Sequence, residues 1–479
     1  MPEGSYTDLS ATALASGIRR GEISPERVMA DHLARIERLN PGLNAVVALN
    51  PRAMDEARAA GRAVAEGRPL GPLHGIPVTI KDCLDVAGLP ATRGSRIFAD
   101  RIPDEDATAV RRLKAAGAII LGKTNAAEFG LWWETDTLVY GRTVNPWNPD
   151  RIAGGSSGGD AAAVAAGLAP LGIGSDLAGS IRVPAHFCGA AGLKATHGAI
   201  STHGHWPLHA PRYWHVGPIA RHVEDLALAY GALAGFDPLD PYSLPPVLPR
   251  TGALPALGAL RIGLVVDGGS SPVAPEIRTA VSEAATALRA LGCRVEEARI
   301  PTLTDQNWNE LAKILMGIEG SMIVGRAVRG REGELHPFIR QRLQVRDVPL
   351  TDYIDALEIS EAFRREMAGF FLDHDLLLMP VCATTAFEHG ATELTIDGQV
   401  TEPRHALRAA VPWDISGHPA LAVPFALDRE GMPVGVQLVG RKMQEDLLFL
   451  AGTALEAAAP VRGQSPSLGA RPLAAGAVS

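Results

Sequence analysis

A lysine and three serines stand at spacings that could carry nucleophilic chemistry. Lys81 ends the apolar run Gly75-Ile76-Pro77-Val78-Thr79-Ile80. Ser156 and Ser157 sit inside Gly154-Gly155-Ser156-Ser157-Gly158-Gly159. Ser180 follows the short stretch Asp176-Leu177-Ala178-Gly179, and lies 24 positions after Ser156. A serine hydroxyl is a weak nucleophile and needs a base beside it. A lysine buried at the end of an apolar strand is driven toward its neutral form by desolvation, and a neutral amine is a usable base. A serine after a tight turn has several backbone N–H groups near its own Oγ, and such donors can hold an oxyanion.

Each residue has a plainer reading. A lysine at a strand end can snorkel to water. Ser180 can be a helix N-cap. Residues 154–158 formally match G-x-S-x-G, the nucleophile elbow, but that turn follows a strand. Here Asn148 to Ala153 reads as loop, while His197 to His215 leave a later histidine partner open. The glycine run lacks the Lys-Ser/Thr of a phosphate-binding loop, and no Ser-x-x-Lys motif is present. His197, His203, His205, His209 and His215 invite a metal reading, yet they form no i, i+4 pair on a helix. Cys83, Cys188, Cys293 and Cys382 are far apart and form no C-x-x-C pair, so they read as reduced, buried thiols. Neither a metal nor a cofactor is expected.

These residues must be positioned by strands and helices. Ser24-Pro25-Glu26 is an N-cap with proline at the first helical position, and Val28, Leu33, Ile36 and Leu39 recur at helical spacing up to Asn40-Pro41-Gly42. Ala53 to Glu66 is a second helix. The run ending in Lys81 reads as a strand buried on both faces. A helix from Asp106 and a strand at Ala118 to Leu121 follow, an α/β rhythm. Residues 124–150 are irregular and aromatic, with Phe129, Trp132, Trp133, Tyr140 and Trp147. Asp160 to Leu168 reads as helix, Leu171 to Gly174 as strand, and 197–215 as a histidine-rich loop. Later come the strands Leu260 to Val266, Arg294 to Ala298, Leu376 to Pro380, Leu421 to Pro424 and Val434 to Val439. Helices are expected at Pro275 to Leu291, Leu303 to Val328, Thr351 to Leu372 and Glu445 to Ala457. The expected organisation is an N-terminal helical segment (1–70) packed on an α/β core (71–458), with a Pro-rich loop at 237–257 and a poorly ordered tail at 459–479.

At 479 residues the chain can bury most of its unfolded surface, roughly 75% for this size class. A net charge of −8 offers no basic footprint for nucleic acid and disfavours an anionic membrane. No uncharged run reaches the ~20 apolar residues of a membrane helix, and the start shows no basic and apolar leader pattern. The expected location is cytoplasmic.

Taken together, Gly-Ile-Pro-Val-Thr-Ile-Lys-Asp at 75–82, the Gly-Gly-Ser-Ser-Gly-Gly run and Ser-Asp-Leu-Ala-Gly-Ser-Ile-Arg-Val-Pro-Ala at 175–185 resemble the amidase signature family. The spacing of the two serines and their order after the lysine match it as well. The resemblance extends through Lys123-Thr124-Asn125 and Asn145-Pro146-Trp147 to Pro433–Gly440 and Glu445-Asp446. It implies a single large α/β domain whose mixed, mostly parallel central sheet is covered by helices on both faces. Carried over residue by residue, it implies Ser180 as nucleophile, Ser156 as bridging serine at a non-proline cis peptide, and Lys81 as base. It also implies an oxyanion hole from the N–H groups of Leu177, Ala178, Gly179 and Ser180. Gly130, with Leu131 and Trp132, would line the substrate site, its carbonyl near the leaving amine.

Some positions depart from the family pattern. Ala178 replaces a usual glycine, Asp160 a small residue or glutamate, and Ala195 and Ala199 a proline and an arginine. None removes a catalytic atom.

The resemblance implies hydrolysis of an amide C–N bond through a seryl acyl-enzyme. The lead expectation is a small-molecule amide, an aryl or acyl amide or a carbamate (urethane). The protein would work as a monomer or homodimer, with no nucleic acid and no membrane. The alternative is the glutaminase subunit of a tRNA-dependent amidotransferase, which the aromatic segment 129–140 fits poorly. A third reading is a non-catalytic binding protein, against which the full set of reactive residues stands.

Overall fold

The computed structural model describes residues 5–208, 210–245, 253–269, 271–344 and 347–467. Residues 246–252 of the Pro-rich stretch and 468–479 of the tail lie outside that set. Among the described residues the main sheet has eleven strands. In chain order these are β1 (Val46–Leu49), β2 (Pro77–Lys81), β3 (Ile119–Thr124), β4 (Leu171–Asp176), β5 (Ala191–Lys194) and β6 (His215–Ala220). They continue as β7 (Arg261–Leu264), β8 (Arg294–Glu297), β9 (Leu376–Pro380), β10 (Ala420–Leu427) and β11 (Pro433–Gly440). The spatial order is β1-β3-β2-β4-β6-β5-β10-β11-β9-β7-β8.

The fold is a single large α/β domain with a mixed central sheet flanked by helices. Within that sheet the expectation of mostly parallel pairing holds only toward the two ends. β2 is parallel to β3 and β4, and β7 is parallel to β8 and β9. From β4 through β6, β5, β10 and β11 to β9 every pairing is antiparallel, as is β1 on β3. The physical reason is which strands meet. β10 and β11 are joined by the tight turn at Asp428–Gly431, where the Gly431 N–H donates to the Asp428 carbonyl, and so short a connection permits only antiparallel pairing. The other antiparallel neighbours are distant along the chain, so their direction follows from tertiary pairing.

β9 shows how the sheet separates two cores. Successive side chains of a strand point to opposite faces. Leu376 and Leu378 join the cluster containing Ile277 and Val281 of helix Pro275–Ala290. Leu377 and Met379 join the cluster of Trp308, Phe363, Met367 and Trp413. Such a strand reads as a continuous apolar run because neither face meets water.

The helices form where caps and periodicity put them, with differences at the ends. Ser24 Oγ accepts from the Arg27 N–H, Pro25 opens the helix, and Val28, His32, Ile36 and Leu39 face the core. That helix runs through Pro41 to Leu43 and stops where Asn44 turns left-handed. The first seventy residues are not helix alone: β1 arises between two helices and pairs with β3. The helix expected at Leu303 to Val328 is divided into Pro301–Asp305, Trp308–Ala312, a π-helical turn at Lys313–Gly317 and Ile318–Ala327. The histidine-rich run reads as loop, but its end forms β6, held between β4 and β5. Among the described residues no helix is long and apolar enough to cross a membrane.

Candidate active site

Lys81 is the last residue of β2, and every residue of that strand is buried. The snorkelling reading fails because the Lys81 side chain has no exposed surface. Its Nζ lies 2.6 Å from Ser156 Oγ, 3.0 Å from Ser175 Oγ and 3.3 Å from the Ser175 carbonyl. Burial lowers the Lys81 pKa, while the charges of Cys83, Asp160 and Asp176 act in the opposite direction. Lys123 on β3 is also fully buried, but its ammonium group is spent on the Leu84 carbonyl.

The glycine-rich run places Ser156 against Lys81. The peptide between Gly155 and Ser156 is cis. A side chain at Gly155 would put its Cβ 2.6 Å from the Trp132 carbonyl oxygen, so the close approach of these two backbones requires glycine. Ser157 Oγ is bound to the Ser175 backbone, donating to its carbonyl at 3.2 Å and accepting its N–H at 3.3 Å. The Ser157 N–H donates to the Ser180 carbonyl at 3.2 Å, which ties the two serine segments together. The run follows a loop rather than a strand, so the elbow geometry is not met. Helix Gly158–Ala165 begins within its last two glycines.

Asp160 in the first turn of that helix is fully buried. Thr124 Oγ1 donates to its Oδ1 at 2.7 Å. Burial pushes the Asp160 pKa up to about 7, against the hydrogen bond from Thr124 and the charges of Lys81 and Lys123.

The turn after β4 is braced from below. The Asp176 carboxylate accepts the Gly179 N–H at 2.6 Å and the Ile181 N–H at 3.1 Å. Arg182 donates to both oxygens of Asp176, to Asp414 Oδ2 at 2.7 Å and to Gln437 Oε1 at 2.9 Å. Burial would raise the Asp176 pKa, but the Arg182 guanidinium holds it below the usual aspartate range. This geometry corrects one expected oxyanion donor. The Gly179 N–H is already taken by Asp176, because an aspartate readily captures a backbone N–H a few residues ahead. Among the described residues the N–H groups of Leu177, Ala178 and Ser180 have no intramolecular acceptor. Backbone donors are nearly always paired, so neighbouring free ones mark a place for an anion or a polarised carbonyl. Ser180 does not cap a helix: Ile181 occupies the N-cap of Arg182–Cys188, and Ser180 Oγ has no hydrogen-bond partner among the described residues.

The aromatic segment forms the opposite wall. Gly130 has a positive φ of 70°, and a Cβ there would lie 3.4 Å from Ser156 Oγ and 3.0 Å from the Trp214 ring. Leu131 lines a narrow cavity together with Leu177, Ala178, Met316 and Arg342. Trp132 is half-buried and stacks on Phe338, with centroids 4.8 Å apart and planes at 16°. Phe129 packs edge-on against Trp206, over which Arg93 sits at 4.2 Å.

The histidine-rich loop does not converge on one point. His197 Nε2 is 3.2 Å from the Pro211 carbonyl, His203 lies against Thr108, and His215 Nδ1 is 3.4 Å from Asp414 Oδ1. His205 Nε2 lies 2.9 Å from Ser175 Oγ. His209 lies outside the described residues. Among the described residues no three His, Cys, Asp or Glu side chains group as a metal site. Ser175 and His205 are the site residues that sequence reasoning missed. The available signal for Ser175 was a hydroxyl directly after the apolar start of a buried strand, Leu171 to Gly174. For His205 there was none, because its contact is made across the fold.

Comparison with known proteins identifies the family. The amidase family model matches residues 27–449. A glutamyl-tRNA(Gln) amidotransferase subunit from Thermus thermophilus is 37% identical, over 94% of this chain and 97% of the relative. A structure described as a vestigial protein complex that reveals the origins of an s-triazine catabolic enzyme superposes with TM-score 0.86. Its identity is 34%, covering 96% of this chain and all of that one. A bacterial aryl acylamidase of the amidase signature family superposes with TM-score 0.85 at 29% identity, covering 94% and 96% of the two chains. These names overturn the expectation of a monomer or homodimer with no nucleic-acid link. One relative is named as part of an enzyme of tRNA, and one neighbour is described as part of a complex. The expectation failed because net charge reports only a direct electrostatic footprint. It carries no information on contacts between protein chains.

Proposed function

The chain belongs to the amidase family, and from that premise we propose that it cleaves an amide C–N bond through an acyl-enzyme on Ser180. One observation carries this reading: the buried Lys81 Nζ is 2.6 Å from Ser156 Oγ, in the segment hydrogen-bonded to Ser180. Ser180 Oγ attacks the amide carbonyl, and its proton passes through Ser156 to neutral Lys81. The N–H groups of Leu177, Ala178 and Ser180 stabilise the negative oxygen that forms. Collapse breaks the C–N bond, and the proton returns from Lys81 through Ser156 to the leaving nitrogen. Water then attacks the ester, gives its proton to the same relay and releases the acid and Ser180.

For the amide itself, the better-supported reading is the side-chain carboxamide of glutamine, cleaved by one component of an amidotransferase. Its support is full-length similarity to proteins named as glutamyl-tRNA(Gln) amidotransferase subunits. A second reading is an aryl or acyl amide, or a carbamate. It is favoured by the half-buried Trp132–Phe338 stack and by the likeness to an aryl acylamidase. The test is ammonia release from L-glutamine by the purified protein, set against product release from an anilide and a carbamate, with Ser180→Ala as control. Glutamine turnover, raised by a copurifying partner protein, supports the first reading. Anilide or carbamate turnover without glutaminase activity supports the second. Unchanged turnover in Ser180→Ala sinks the mechanism.

A further inference from the structure

We infer that His205 is a positioning residue for Lys81, acting through the Ser175 hydroxyl. The inference rests on the proposed roles of Lys81, Ser156 and Ser180. Lys81 Nζ has three oxygen neighbours: Ser156 Oγ, Ser175 Oγ and the Ser175 carbonyl. A neutral amine has two N–H donors and one lone pair. The carbonyl can only accept, so it takes one N–H. The remaining N–H and the lone pair are divided between the two hydroxyls. Lys81 can accept a proton from Ser156 only if the lone pair faces Ser156, which sends its second N–H to Ser175 Oγ.

That arrangement requires the Ser175 O–H to point away from Lys81. Its other neighbour is His205 Nε2 at 2.9 Å. With the imidazole proton on Nδ1, Nε2 accepts the Ser175 O–H and the chain of hydrogen bonds runs in one direction. It goes from Lys81 to Ser175 and from Ser175 to His205, leaving the Lys81 lone pair for Ser156. With the proton on Nε2, His205 donates to Ser175 instead. The Ser175 O–H then competes with Ser156 for the lone pair of Lys81.

The fold holds His205 at this place. Its residue bridges Leu84, three positions after Lys81, and the Trp206 N–H donates to the Cys83 carbonyl at 3.0 Å. Its ring packs on Trp214 at 4.5 Å between centroids, and only 3% of the residue is exposed. The loop carrying His205 is thereby fastened to the same strand end that supplies the base.

The test reads the reactivity of Ser180 directly, by labelling with a fluorophosphonate and measuring the saturating rate and half-saturating concentration separately. Ser180→Ala should not label. His205→Leu should lower the saturating rate about tenfold or more, the scale on which a misdirected proton acceptor acts, and leave half-saturation nearly unchanged. His205→Gln should recover most of the rate, because its Oε1 can accept where Nε2 does. In a Ser175→Ala background, adding His205→Leu should change the rate by less than about twofold, since coupled residues are non-additive. A wild-type rate in His205→Leu, multiplicative losses in the double variant, or no recovery in His205→Gln would overturn the inference. Should His205→Leu not fold, nitrogen-15 NMR of histidine-labelled wild type decides. The Nδ1–H tautomer at His205, assigned by its absence from His205→Gln, is the expected result, and the Nε2–H tautomer overturns it. Labelling that persists in Ser180→Ala removes the role of Ser180 and says nothing of His205.

Discussion

Arg182 grips Asp176 with two hydrogen bonds, Nε to Oδ2 at 3.0 Å and Nη2 to Oδ1 at 3.1 Å, and neither side chain is exposed. The same carboxylate accepts the Gly179 and Ile181 N–H groups on either side of Ser180. Arg182 therefore sets the turn that carries Ser180.

Removing the arginine should leave Asp176 buried and unpaired. Breaking a buried pair in this way costs about 3–5 kcal/mol. Arg182→Met is expected to lose about that much stability in urea unfolding, and to lose activity with it. Stability within about 0.5 kcal/mol of wild type, the range of an inert surface change, would show that the pair does not brace the turn.

Activity should rise with pH as Lys81 loses its proton. Burial places its pKa below the ordinary 10.5, so the midpoint of the rise should lie below that pH. A profile of kcat/KM from pH 5 to 10 should show this ascending limb. Lys81→Arg, which stays charged, should be inactive across the range. An arginine variant with wild-type turnover would remove Lys81 as the base.

Asp160 makes the fold itself sensitive to pH. Its native pKa of about 7 lies above the ordinary 3.8, so between those values the folded chain holds a proton that the unfolded chain has lost. Stability contributed by that proton is fully present below about pH 3.8 and is lost as pH rises from there through about 7. Asp160→Asn keeps an acceptor for Thr124 Oγ1 and does not titrate. Between pH 5 and pH 8 its stability relative to wild type should improve by at least ~1.4 kcal/mol, the value of one pKa unit. Parallel unfolding curves at the two pH values would contradict the raised pKa.

Ala178 offers a free N–H and a methyl that faces the cavity shared with Leu131, Leu177 and Met316. Ala178→Gly keeps the donor and widens the wall by one carbon. The ratio of kcat/KM for a bulky amide over a small one should rise about tenfold, within the range for a methylene-sized change in a pocket. An unchanged ratio would place the acyl group elsewhere.

Much of the site was legible because its parts are local. Lys81 follows the apolar Ile76, Val78 and Ile80, and so apolar a strand with one charged end belongs between two covering layers. The Gly-Gly-Ser-Ser-Gly-Gly run and the Asp-Leu-Ala-Gly-Ser turn are short motifs with fixed offsets. Together they point to the family and to Lys81, Ser156 and Ser180.

Tertiary structure decided the rest, because each remaining contact joins distant segments or depends on backbone direction. Gly179 sits in the motif, yet its N–H turns to Asp176 and away from the site. Ser175 and His205 reach Lys81 only because β2 and β4 are parallel neighbours and a later loop is fastened to Leu84 and Cys83. The antiparallel middle of the sheet is likewise a matter of which strands meet, and strand pairing is non-local. The sequence by itself determined which residue types were present at readable spacings. The fold determined which atoms they face, since hydrogen-bond partners are chosen by distance in space and not by distance along the chain.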